Sequence, residues 1–139
     1  MDPFRVLIVE DDAVISTDLE GVLEAAGCEV CGVAASERAA LRMAEATHPP
    51  FAVVDVRLSP GDGRVVAREL CDRYDTVVLL ATAHIDHPED LAATGAFGCL
   101  PKPYEMEDVF AALEVVRDLH DGRPVRRLPD HMVALNRWM

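Results

Sequence analysis

Lysine is almost missing from this 139-residue chain: twelve of its thirteen basic residues are arginine, and the single lysine is Lys102. Basic charge of any kind is scarce, and the formal net charge is −12. A chain so acidic lacks the basic face that engages phosphates along a nucleic acid, so direct nucleic-acid binding is not expected. No apolar run approaches the roughly 18 residues of a membrane-spanning helix. The opening residues, MDPFRVLIVEDD, carry no basic leader and turn acidic at once, unlike a signal peptide. A cytoplasmic location without membrane contact is the expectation.

Other signatures are missing too. Four cysteines are present, but only Cys28 and Cys31 form a C-x-x-C, and no second pair completes a zinc site. That pair falls in a stretch that reads as a strand, where an offset of three sends side chains to opposite faces, so buried reduced thiols are expected. Ser16 and Ser59 have no paired base, so no hydrolase triad is indicated. Gly61-Asp62-Gly63-Arg64-Val65-Val66 starts like a dinucleotide motif but ends in valine and follows the third strand, not the first. His84 and His87 have no third ligand at a metal-binding spacing. There is neither an internal repeat nor a low-complexity segment.

What is present is a regular alternation. RVLIV (5–9) reads as a buried strand, and Ile15, Leu19, Val22, Leu23 and Ala26 then repeat with helical period until Gly27. A second strand lies near 29–33. Ser36 caps a helix through about Ala46, which His48-Pro49-Pro50 stops. FAVVD (51–55) is a third strand and 64–73 a helix. TVVLLA (76–81) is a fourth strand, and Asp86 or His87 caps a short helix closed by Gly95. FGCL (97–100) is a fifth strand, and a last helix runs from about Tyr104 to His120 on Met106, Val109, Phe110, Leu113 and Val116. Strands apolar throughout and separated by helices indicate a doubly wound α/β domain with a parallel sheet over about 1–120. A basic and apolar tail follows, 121–139. It holds four Arg against two Asp, so the first 120 residues carry −14. Asp130 could cap one or two helical turns carrying Met132, Val133, Leu135, Trp138 and Met139. The tail either frays or docks on its own domain or on a partner.

In such sheets function gathers at the carboxyl ends of the strands. Those ends carry Glu10-Asp11-Asp12, Asp55, Thr82-Ala83 and Pro101-Lys102-Pro103. Carboxylates crowded into one cleft repel one another unless a cation neutralises them, and an all-oxygen set suits Mg²⁺. An Asp beside Mg²⁺ can attack phosphorus and form an acyl phosphate. The phosphoryl charge then needs donors, which a lysine and a hydroxyl supply. Asp55, followed by the Ser59-Pro60-Gly61 turn, fits the acceptor, with Lys102 a compact charge for a phosphoryl oxygen. Asp12 is either a helix-start acid or a further metal-loop carboxylate.

VLIVEDD, VVDVRLSPGDG, LLATAH and GCLPKPY, in that order at those strand ends, resemble the response-regulator receiver domain of bacterial two-component signalling, from residue 5 to about 120. The resemblance implies a flavodoxin-like fold with five parallel strands in the order 2-1-3-4-5. It implies phosphoryl transfer from a histidine kinase or phosphotransfer protein. Asp55 matches the phospho-acceptor, Glu10 and Asp11 the acidic metal pair, and Arg57 the residue whose backbone carbonyl binds the metal. Thr82 matches the switch hydroxyl and Lys102 the phosphate-contacting lysine. Such a module phosphorylates and dephosphorylates itself without turning over a substrate.

One position departs from the pattern. Cys99 stands where the family has a mobile aromatic residue in strand five, so a signal is expected to leave through the loop after Thr82 and the short helix at 87–94. Arg57 and His84 each lie two residues past a site residue and overhang it, as modulators of phosphate lifetime. Ala112, Val115 and Leu119 extend apolar character beyond the last helix's core stripe, which suggests a weak homodimer. If the chain is complete, it is a single-domain regulator working by protein–protein contact or draining phosphate. The alternative is a receiver-like binding module independent of phosphorylation. An aspartyl-phosphate phosphatase would need a second Asp at position 57, where Arg57 stands.

Overall fold

The computed structural model describes residues 4–125 and 128–136. Five strands and five helices alternate: β1 (Phe4–Val9), α1 (Ala13–Ala25), β2 (Cys28–Ala34), α2 (Glu37–Thr47), β3 (Phe51–Asp55), α3 (Gly63–Tyr74), β4 (Val77–Thr82), α4 (Pro88–Ala92), β5 (Gly98–Pro101) and α5 (Met106–His120). The strands pair in parallel in the order 2-1-3-4-5. Local chemistry starts the first two helices. Asp12 caps α1 by accepting the Val14 and Ile15 amides, and Ser36 caps α2 through the Ala39 amide. His87 stands at the head of α4, with Pro88 at the first helical position, but its side chain makes no capping bond.

Period-two alternation splits the strands between two cores. Val6 and Ile8, Phe51 and Val53, Leu79 and Leu100 face α1 and α5. Leu7 and Val9, Ala52 and Val54, Leu80 and Cys99 face α2, α3 and α4. Continuing that parity past the strand ends assigns Glu10, Asp55 and Lys102 to the α1/α5 side, and Thr82 to the other. Cys28 and Cys31 fall into opposite cores, with a bulge between Val6 and Leu7 putting Gly32 opposite Leu7.

Two expectations need correction. The tail does not form helical turns from Asp130: Val133–Ala134 is a strand, β6, antiparallel to β5, which makes the sheet six-stranded and not five. Two-residue strands leave no periodicity to read, and their partners are remote in sequence. Trp138 and Met139, also assigned to those turns, and Arg126, Arg127 and Arg137 lie outside the described residues. The second concerns α5. Ala112 and Val115 are not free for a second copy: both are buried in the chain's own core, and Leu119 packs against it together with Val125 and Leu128 of the tail. Phe110, counted in the core stripe, is only half-buried.

Candidate functional site

The ends of β1, β3 and β5 bring three side chains to one spot. Lys102 Nζ lies 2.8 Å from Asp55 Oδ2 and 3.1 Å from Glu10 Oε1. Glu10 and Asp55 are buried, with side-chain exposures of 3% and 9%. Asp11 joins them from the exposed side, and the three carboxylates each offer an oxygen within 4.8 Å of the others. This set fits a hard divalent cation, being all oxygen and close-packed. The charge conflict is visible in the proton equilibria. Burial, with the neighbouring Asp55 carboxylate, pushes the Glu10 carboxyl up to about 7. Burial works against the Lys102 charge, but its bonds to Asp55 and Glu10 outweigh that and hold its pKa above the ordinary lysine value.

Backbone groups fix the acids. The Arg57 amide donates to Asp55 Oδ1 at 3.1 Å, and the Ser59 amide donates to Asp11 Oδ2 at 3.0 Å. Asp12 spends its carboxylate on the α1 cap and lies outside the three-carboxylate cluster, which decides between its two readings. The glycine after the loop has a specific cause. A Cβ on Gly63 would lie 1.8 Å from the Asp55 carbonyl oxygen, so α3 can begin against the Asp55 backbone only with glycine there. Glu37 Oε2 accepts the Asp62 amide at 3.1 Å and ties this loop to the start of α2, a contact no local sequence signal announces.

Thr82 is buried at the end of β4. Its hydroxyl donates to the His84 carbonyl at 3.2 Å and accepts the His84 amide at 3.3 Å. Thr82, Arg57 and His84 line one open cleft of about 520 Å³ together with Asp11, Asp86 and His87. Arg57 and His84 are exposed at its rim. Cys99 lies elsewhere, buried among the α2/α3/α4 core, and burial pushes its thiol up to about 12. Tyr104 closes the GCLPKPY motif, but the sequence assigned it no place in the site. Its hydroxyl oxygen is buried without a hydrogen-bond partner among the described residues, and burial with the nearby Glu10 charge pushes it up to about 12.

Residues 6–114 match the response regulator receiver domain family. The chain belongs to that family. Among its relatives is the transcriptional regulatory protein PdtaR of Mycobacterium tuberculosis, 35% identical over 115 residues, which are 81% of this chain and 56% of PdtaR. The acid tolerance regulatory protein ActR of Rhizobium meliloti is 33% identical, with 78% of this chain and 57% of ActR covered. The chain thus spans little more than half the length of these relatives. The chemotaxis response regulator CheY4 of Vibrio cholerae superposes with a TM-score of 0.74 at 28% identity, over 83% of this chain and 99% of CheY4. A response regulator of Chloroflexus aurantiacus gives 0.75 at 29%, over 83% and 98%. Phosphorylation on aspartate is general in this family, which is not in general one of substrate-turnover enzymes. No helix among the described residues is long and apolar enough to cross a membrane.

Proposed function

We propose that this chain accepts a phosphoryl group on Asp55 from a phosphorylated histidine of a histidine kinase or phosphotransfer protein, with Mg²⁺ required. The observation that carries this reading is the close set of Glu10, Asp11 and Asp55 with the Lys102 ammonium against Asp55. The three carboxylates and the Arg57 carbonyl would hold the ion. When bound, Mg²⁺ supplies the positive charge that offsets the carboxylates and the phosphoryl oxygens. An Asp55 oxygen forms the new bond to phosphorus, the P–N bond to the donor imidazole breaks, and the imidazole leaves with a proton. Lys102 and the Thr82 hydroxyl are then the donors to phosphoryl oxygens. Residues 1–120 act as the receiver, in the cytoplasm, and output is by protein contact or by draining phosphate from a shared donor.

Phosphoramidate, whose P–N bond mimics phosphohistidine, tests the reading. The chain should gain one phosphoryl group with Mg²⁺ and none after chelation. No gain in either condition would favour the phosphorylation-independent binding module.

A further inference from the structure

The segment after α5 is fastened to the domain by specific side chains, not only by the β5–β6 pairing. The Asn136 side-chain amide donates to the carbonyls of Ala92, the last residue of α4, and Ala96, in the turn before β5, each at 2.8 Å. His131 Nδ1 lies 2.9 Å from Asp108 Oδ1 on the first turn of α5. The Leu135 amide donates to the Phe97 carbonyl at 3.0 Å. Gly98 makes room for Met132, since a Cβ there would lie 2.7 Å from the Met132 sulfur. Met132 reaches the α1/α5 core and Leu135 packs on the opposite one. This segment therefore closes the outer edge of β5 and ties α4, β5 and α5 together.

The other end of α4 lines a cleft next to Asp55: Asp11, one of the three clustered carboxylates, and Arg57, whose amide donates to Asp55 Oδ1, both border it. His84, Asp86, His87, Asp90 and Leu91 line the same cleft as Thr82 and Arg57. We propose that residues 128–136 form a latch that opens when Asp55 is phosphorylated, an inference that rests on the reading of Asp55 given above. A threonine hydroxyl has one proton to donate. Once it goes to a phosphoryl oxygen, the His84 carbonyl loses it, and the loop from His84 to His87 must rearrange. That loop runs directly into α4, which is only five residues long and offers little length to absorb the change. The two Asn136 bonds need the Ala92 and Ala96 carbonyls held in one arrangement, and Ala92 is the last residue of α4, so displacement of α4 breaks that arrangement. Opening bares the edge of β5, with its unpaired backbone groups. Linkage makes the coupling reciprocal: weakening the latch favours the phosphorylated form by the same factor.

The test is amide exchange at Leu135 in the full chain, with and without Mg²⁺ and beryllofluoride, a phosphoryl mimic. Residues 57–63 report in parallel on occupation of the Asp55 site. The expected result is a changed environment at 57–63 together with faster Leu135 exchange, by at least about 5-fold. Asn136→Ala should exchange fast at Leu135 before any addition and bind beryllofluoride more tightly by a similar factor. A response at 57–63 with Leu135 exchange unaltered, or an unaltered affinity in Asn136→Ala, would overturn the latch and leave the Asp55 reading intact. No response at 57–63 would overturn that reading and the latch with it. Exchange at the core amides of β1 verifies that the variant is folded.

Discussion

The Lys102 ammonium and the Asp55 carboxylate form an ion pair of 2.8 Å between the ends of β5 and β3, 47 residues apart in sequence. Because Lys102 also meets Glu10 Oε1, it sits where a divalent cation would need the same oxygens. Lys102→Ala should slow phosphorylation by phosphoramidate roughly 10²-fold, the order of effect for losing one preorganised donor to a transferring group. Mg²⁺ binding, measured by calorimetry, should persist or tighten, since the competing ammonium is gone. A loss of Mg²⁺ binding would contradict this arrangement.

Gly63→Ala should destabilise the fold. The new methyl would meet the Asp55 carbonyl oxygen at 1.8 Å, and its nearest neighbours are all backbone atoms, with no flexible side chain to yield. Overpacking of this kind costs on the order of 3 kcal/mol. Urea unfolding should show it as a lowered midpoint with an unchanged slope. An unchanged midpoint would mean that α3 does not begin so close to the acceptor strand.

Arg57 and His84 overhang the same cleft from opposite loops. Arg57→Ala should speed loss of the phosphoryl group by admitting water to the acyl phosphate. His84→Ala should slow it, by removing an imidazole that can orient that water. The decay of phosphorylated protein after donor removal reads both. Identical decay in wild type and both variants would leave the two as solvated loop side chains.

Docking of the tail should depend on pH. The bond to Asp108, then the charges of Asp108, Asp130 and Glu105, raise the pKa of the exposed His131 above its ordinary 6.5. A raised folded-state pKa gives a contribution that is complete below the undocked value and is lost as pH rises through the docked one. Protection of the Leu135 amide, corrected for intrinsic exchange, should therefore be greater at about pH 6 than at about pH 8. His131→Ala should lower protection at the acid end and flatten the profile. A flat profile in wild type would remove His131 from the account of docking.

Most of the fold is legible in the sequence because its signals are local. RVLIV and FAVVD are apolar throughout, as strands covered on both faces must be. Ser36, Gly27 and the His48-Pro49-Pro50 stop work within a residue or two of their positions. Strand parity alone then brings Glu10, Asp55 and Lys102 to one side of the sheet. The parts that were not legible depend on distant partners. β6 is two residues long, and Met132-Val133-Ala134-Leu135 suits a helical turn as well as a strand until the β5 edge is present to pair with it. Asn136 reaches Ala92, 44 residues away. Ala112 and Val115 looked free because the core covers more of α5 than the stripe of Met106, Val109, Phe110, Leu113 and Val116 accounts for. Glu37 lies in no motif and Tyr104 only closes GCLPKPY, and only the folded chain brings the first to the Asp62 amide and the second near Glu10.

Intact mass of wild type and Asp55→Asn after incubation with a small phosphodonor and Mg²⁺ decides whether Asp55 takes up a phosphoryl group. One added phosphoryl group is expected on wild type, labile to hydroxylamine as an acyl phosphate is, and none on Asp55→Asn. Equal modification of both proteins, or none on wild type while it still binds Mg²⁺, would contradict Asp55 as the acceptor.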